Sequence, residues 1–224
     1  MSGDPSPGGA RRLGVLISGR GSNLQSILDA IRERRLAATL ALVVSNVAGA
    51  RGLDRARAAG VPALTIRHGD YPTRALFEAA LVSILRDHQV DLVCLAGFMR
   101  RLGPTMVDAF RHRMLNIHPS LLPAFPGLHA QRQALLHGVK VTGATVHFVE
   151  AELDAGPIVR QAAVAVRDED TEETLAARIL AEEHRIYPEA IEVVLGGGWR
   201  VEGRRLVATP LEAGRRAEGG VNPG

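Results

Sequence analysis

Apolar residues along this chain follow two rhythms. Short, largely apolar runs at residues 13–17, 40–44, 63–66, 91–96 and 113–117 have the length of buried strands. Between them apolar positions recur every three or four residues, as in Leu24, Ile27, Leu28 and Ile31, which predicts a helix over 24–34. The same spacing predicts helices over 51–59, closed by Gly60, over 74–88 and over 129–137, with a short one finishing at 106–110. Strand and helix alternate, so the expected fold class is α/β, Rossmann-like, with a mostly parallel twisted sheet and helices on both faces. Residues 140–150 and 157–166 read as longer, partly alternating strands, which makes the C-terminal part of the sheet mixed. A long amphipathic helix is expected over 172–195, with Pro188 inside it predicting a kink or an end. A small hairpin follows over 200–207, turning at Glu202-Gly203.

Composition narrows the picture. Residues 1–10 form an expected disordered tail, 11–207 a single domain, and 208–224 a flexible tail. Nothing in the pattern resembles a membrane span or an apolar signal segment, so a cytoplasmic location is the default. The single Cys94 sits in an apolar run and excludes an intramolecular disulfide and a multi-cysteine metal site. The formal charge is only +3, and Lys140 is the sole lysine among 27 basic residues. The arginines are scattered among acids and aromatics make up 4% of the chain, which argues against nucleic acid as a principal partner. No ligand spacing supports a metal, and no Gly-x-Ser-x-Gly elbow supports a serine nucleophile.

Two segments carry chemistry. Ser18-Gly19-Arg20-Gly21-Ser22-Asn23 follows the first strand and opens the first helix. Glycine-freed amides at a helix N-terminus suit a phosphate. An ordinary tight turn capped by Ser22 or Asn23 is the competing reading. The loop lacks the third glycine of a dinucleotide fingerprint and the lysine of a P-loop. Ser45-Asn46 stands where a dehydrogenase would place its acid. The second segment is Asn116-Ile117-His118-Pro119. In an extended strand Asn116 and His118 share one face, presenting a non-titrating amide and an imidazole at a strand's carboxyl end. Asp154, in a turn bent by Gly156 and Pro157, is the best partner acid for His118, and His147 alternates onto the same side of a later strand. His129 would cap its helix or reach an anion. Asn116 as a turn former, His118 as a surface histidine and Asp154 as a turn acid form the bland alternative.

At these residues the chain resembles the folate-dependent phosphoribosylglycinamide formyltransferases. The matching pieces are Leu16 to Leu24, Leu95-Ala96-Gly97-Phe98-Met99-Arg100, Asn116 through His129, Thr145 to Val149, Leu153 to Pro157, and Glu183-His184-Arg185-Ile186-Tyr187-Pro188. The resemblance implies the formyltransferase fold, 10-formyltetrahydrofolate as donor and 5-phosphoribosylglycinamide as acceptor, with no metal. It implies Asn116, His118 and Asp154 as the catalytic trio and Gly21, Ser22 and Asn23, with Arg74, as the phosphate site. It further implies Glu183 on the ribose, and Met99, Arg100, Arg101, Leu102, His147 and Asp154 around the folate. A monomer or homodimer follows, without nucleic acid or membrane partners. The rivals are a formyltetrahydrofolate hydrolase, a formyltransferase for another amine such as charged initiator tRNA, and a non-catalytic phosphate or nucleotide binder.

Overall fold

The computed structural model describes residues 10–209, so both expected tails lie almost wholly outside the described residues. Nine strands form one sheet in the order β3-β2-β1-β4-β5-β6-β7-β9-β8. The first five are β1 (Arg11–Ile17), β2 (Ala38–Ser45), β3 (Ala63–Thr65), β4 (Leu92–Leu95) and β5 (Met114–His118), all parallel. The sheet then turns mixed, as the alternating pattern after residue 140 suggests. β6 (Val141–Phe148) runs antiparallel to β5 and to β7 (Ile158–Ala165). The hairpin β8 (Trp199–Glu202) and β9 (Arg205–Ala208) joins β7 through the single pair Ile158–Arg205.

Six helices cover the two faces: α1 (Ser22–Arg32), α2 (Arg51–Ala58), α3 (Arg74–Asp87), α4 (Pro104–Ala109), α5 (Ala130–Leu136) and α6 (Glu172–Gly196). Strand alternation divides the core between them. Leu13, Val15 and Ile17 of β1 pack with α1, α2, α5 and α6, whereas Leu16 faces α3 and α4. The helix predicted over 172–195 runs without a break through Pro188 to Gly196. Pro188 removes one N–H from the ladder, but it is buried among Ile186, Tyr187, Ala190 and Ile191, and this packing carries the helix past the missing bond. No helix among the described residues is long and apolar enough to cross a membrane.

The order of the sheet decides where a ligand can sit. From β1 the chain winds outward to β2 and β3, then returns to place β4 on the other side of β1, so the carboxyl ends of β1 and β4 diverge into a crevice. Ser18 closes the floor of that crevice. Its N–H donates to the Gly97 carbonyl at 3.1 Å, and its hydroxyl donates to Asn46 Oδ1 at 2.6 Å while accepting the Met99 N–H at 2.7 Å.

Candidate active site

β5 delivers the first two groups. Its register with β6 sets Asn116 opposite His147 and His118 opposite Thr145, so strand alternation places all four side chains on one face. Asp154, in the turn between β6 and β7, adopts φ +52° and enters this face, where its side chain is 8% exposed. Its Oδ2 is 3.5 Å from His118 Nδ1, and its Oδ1 is 3.7 Å from His147 Nε2. Asn116, His118, His147 and Asp154, separated by up to 38 positions in sequence, thus converge on one corner.

The partners of these groups limit their protonation. His147 Nδ1 lies 2.8 Å from the Phe148 carbonyl, which can only accept, so Nδ1 carries the proton. Burial holds this imidazole below its ordinary range, outweighing the Phe148 carbonyl and the Asp154 carboxylate that pull it up. Neutral His147 therefore leaves Nε2 bare to accept from Asn116 Nδ2 at 3.2 Å. That contact turns the Asn116 amide so that its second N–H remains to donate elsewhere. His118 differs: Nε2 is 2.9 Å from the Phe125 carbonyl while Nδ1 faces Asp154. The ring is thus held between the Phe125 carbonyl, at hydrogen-bond distance, and the Asp154 carboxylate, at ion-pair distance.

The loop after β5, which the resemblance sets beside the folate pocket, occupies this corner. After β5, residues 119–129 fold back so that the Phe125 carbonyl takes the His118 ring and the Gly127 N–H donates to Asp154 Oδ2 at 2.8 Å. The loop is rooted by Thr145, whose buried hydroxyl donates to the Ser120 carbonyl at 2.6 Å and accepts the Leu122 N–H at 3.0 Å. Gln161 adds bonds to the Leu122 carbonyl and Thr145 Oγ1, each at 2.9 Å. Backbone groups carry no sequence signature, so neither the Phe125 nor the Gly127 contact could be read from the chain. His129, expected to cap α5, occupies the N-cap position with φ +57°, but its exposed ring makes no capping bond.

The glycine loop forms a second corner. Gly21 adopts φ +70° as the N-cap of α1, and its backbone touches Gly52: a Cβ on Gly21 would stand 2.7 Å from Gly52 Cα. Ser22 and Asn23 begin α1, leaving the first amides of the helix without partners inside it. Asn23 is buried, and its Nδ2 donates to Glu183 Oε2 at 2.7 Å. This bond uses one of the two Nδ2 donors, and Asn23 Oδ1 stays buried without a partner. Burial pushes the Glu183 carboxyl above its usual range, against the Asn23 bond that lowers it.

The structure separates Arg74 from that loop. The residue begins α3, which packs on the sheet face opposite α1. Its Nε is 3.5 Å from Glu78 Oε1, and a Cβ on Gly103 would meet its Nη2 at 2.8 Å. With His68, Tyr71, Phe77, Arg100 and Arg101 it lines a cleft of about 110 Å³. Arg74 is thereby grouped with Arg100 and Arg101 of the expected folate wall, because chain order brings the start of α3 beside the segment after β4. Within that wall Met99 is exposed, Arg101 donates to the Ala151 carbonyl at 3.2 Å, and Leu102 is buried in the α3–α4 core, leaving only its backbone to face a ligand. Buried Glu78 ties the region together by accepting the Gly103 N–H at 2.6 Å and the Met106 N–H at 3.3 Å at the start of α4. It was missed because an acid inside a helix reads as a solvated face. No group of three or more His, Cys, Asp or Glu side chains among the described residues is arranged to hold a metal ion.

Known proteins resemble this chain in sequence and fold. The model of the formyl transferase family matches residues 11–191. The phosphoribosylglycinamide formyltransferase of Escherichia coli K12 is 45% identical over 190 residues, which are 85% of this chain and 87% of that protein. The chain belongs to the phosphoribosylglycinamide formyltransferase family. Among solved structures of this family, glycinamide ribonucleotide transformylase 1 from Symbiobacterium toebii superposes with a TM-score of 0.88 at 57% identity, covering 94% of this chain and 100% of that one. The trifunctional purine biosynthetic protein adenosine-3 of Bos taurus is 48% identical over 85% of this chain, which spans 19% of that protein's length.

Proposed function

We propose that this family member transfers the formyl group of 10-formyltetrahydrofolate to the amine of 5-phosphoribosylglycinamide, releasing the N-formyl product and tetrahydrofolate. The observation that carries the reading is the convergence of an oriented amide, an imidazole set between a carbonyl and a carboxylate, and that buried carboxylate on one corner. The unprotonated amine attacks the formyl carbon, a C–N bond forms, and the carbonyl electron pair moves to oxygen. The second N–H of Asn116 and the Nε2–H of His118 receive this oxyanion. For His118 to do so, the Phe125 carbonyl must leave Nε2, so the 119–129 loop gives way as the substrates enter. Asp154 holds His118 and, through a water, takes the proton lost by the attacking nitrogen. The intermediate collapses as the C–N10 bond breaks and N10 takes up a proton.

The other assignments follow from the two corners. The amides of Gly21, Ser22 and Asn23 seat the substrate phosphate at the head of α1, and Glu183 meets the ribose. Met99, Arg100, Arg101, the Leu102 backbone, His147 and Asp154 border the folate. The position of Arg74 supports moving it to this folate side, where three arginines suit the carboxylates of a folate tail. No resident metal enters the scheme. The domain spans residues 11–207, and the protein works in the cytoplasm as a monomer or homodimer.

The reading is tested by following folate absorbance with both substrates, without the amine, and with His118→Ala. Amine-dependent release abolished by the substitution supports it. Release without the amine would identify a hydrolase. No release from folded protein that binds folate would indicate another acceptor or a non-catalytic binder.

A further inference from the structure

A cavity beside the head of α1 lies away from the catalytic corner. It has a volume of about 350 Å³ and is lined by Ser22, Gln25, Ser26, Asp29 and Glu33 of α1 and its C-terminal end, with Arg35, Arg55 of α2 and His184 of α6. Its charged groups are not equivalent. Asp29 is paired with Arg32 at 2.8 Å and accepts from Gln25 at 3.1 Å, and Glu33 is paired with Arg35 at 2.6 Å. Arg55 has no carboxylate partner among the described residues. The cavity therefore has a neutralised tail, and its uncompensated positive charge lies at the head, beside Ser22.

Arg55 is held there by the glycines of both elements. The Gly52 N–H donates to the Gly19 carbonyl at 3.0 Å, and a Cβ on Gly21 would stand 2.7 Å from Gly52 Cα. This contact docks the first turn of α2 directly against the glycine loop. Arg55, three residues after Gly52, then spans the loop: its Nε donates to the Arg20 carbonyl and its Nη1 to Gln25 Oε1, both at 3.0 Å. Those bonds bracket residues 21–24 and use two of the five N–H groups of the guanidinium, leaving the Nη2 donors free. Across the cavity, His184 Nε2 is buried without a partner.

We infer that Arg55 binds the substrate phosphate from α2, supplying the fixed positive charge that the lysine-free glycine loop lacks. This assignment rests on the reading of residues 21–23 as the phosphate seat. Oriented amides alone discriminate poorly between a dianion and a neutral polar group, whereas a guanidinium already fixed by two bonds adds a charge-assisted contact without ordering a new side chain. Arg55 then determines selectivity for the phosphorylated amine over its dephosphorylated counterpart.

The test compares steady-state kinetics with 5-phosphoribosylglycinamide and with the phosphate-free ribosylglycinamide for the wild type, Arg55→Ala, Arg55→Lys and Arg20→Ala. Arg55→Ala is expected to raise KM for the phosphorylated substrate about tenfold or more. Its kcat, its KM for folate and its use of the phosphate-free substrate should be unchanged. Arg55→Lys should recover part of the loss, and Arg20→Ala should change little. Rising salt should narrow the gap between wild type and Arg55→Ala. Equal losses on both substrates would reduce Arg55 to a support of the loop, and equal losses in Arg20→Ala would reduce it to general field; either result overturns the assignment. A wild type that discriminates by phosphate while Arg55→Ala keeps its KM removes Arg55 alone. A wild type indifferent to the phosphate removes the phosphate seat as well.

Discussion

The two corners of the crevice are finished to different degrees. At the catalytic corner the protein already partners the working groups: His118 holds the Phe125 carbonyl, Asp154 the Gly127 N–H, His147 the Phe148 carbonyl, and Asn116 holds His147. At the α1 head polar capacity is left over, in the first helical amides, in Asn23 Oδ1 and in the unpaired Arg55 beside an open cavity. In the proposed scheme, reaction at the first corner therefore requires exchange of protein contacts for substrate contacts, whereas the second offers a ligand donors that are already free. An anion docked at α1 can be positioned before the loop opens, which separates binding from the access of water to the oxyanion site.

This contrast predicts a division of kinetic effects. The largest belongs to Asn116→Ala, which removes an oxyanion donor and should lower kcat by roughly a hundredfold or more. KM for the phosphorylated amine should hardly move; a near-normal kcat would remove Asn116 from the reaction. Asp154→Asn should cost kcat about tenfold to a hundredfold, because an amide of the same shape holds the imidazolium without charge. Equal losses in kcat and in amine affinity would mean that the corners are not separate. Glu183→Gln keeps the bond to Asn23 within reach, and should raise KM for the amine about tenfold with kcat nearly intact. Gly21→Ala sharpens the same boundary from the backbone side. Its φ of +70° and the 2.7 Å approach to Gly52 should make it cost about 1–3 kcal/mol in a denaturant melt and weaken amine binding.

How far these corners could be read from the chain depends on what builds them. Period-two and period-3.6 patterns predict the strands and helices because each buries a stripe, and residues 114–118 show it well: alternation alone puts Asn116 and His118 on one face. The face shared with His147 needed the antiparallel register of β5 and β6, which no local pattern reveals. Asp154 could be singled out as a turn acid, but its entry into the corner depends on a left-handed backbone at a non-glycine residue. The carbonyl of Phe125 and the N–H of Gly127 were beyond reach, since every residue has such groups. Arg74 shows a topological limit: the resemblance set it at the phosphate end, but only the packing shows that α3 starts on the opposite face from α1.

The smallest effect probes the one group whose work depends on being neutral. Burial holds His147 below its unfolded value, 6.5 being the ordinary one, so in the folded protein it resists protonation. Below pH 6.5 the unfolded chain takes up this proton first. The stabilisation is thus complete above about 6.5 and declines as pH falls from there toward the depressed folded value. Replacing His147 with Asn removes that titration, so the melting temperatures of wild type and variant should draw together as pH is lowered from 7 to 5. Constant separation would show that His147 is not held neutral. Wild-type kcat should hold through that window and fall only as pH nears the depressed folded value, since a proton on Nε2 turns a donor toward the Asn116 N–H and costs the amide its orientation. If kcat followed pH while amine affinity stayed level, the catalytic corner would be the one that feels this proton, and the phosphate corner would be independent of it.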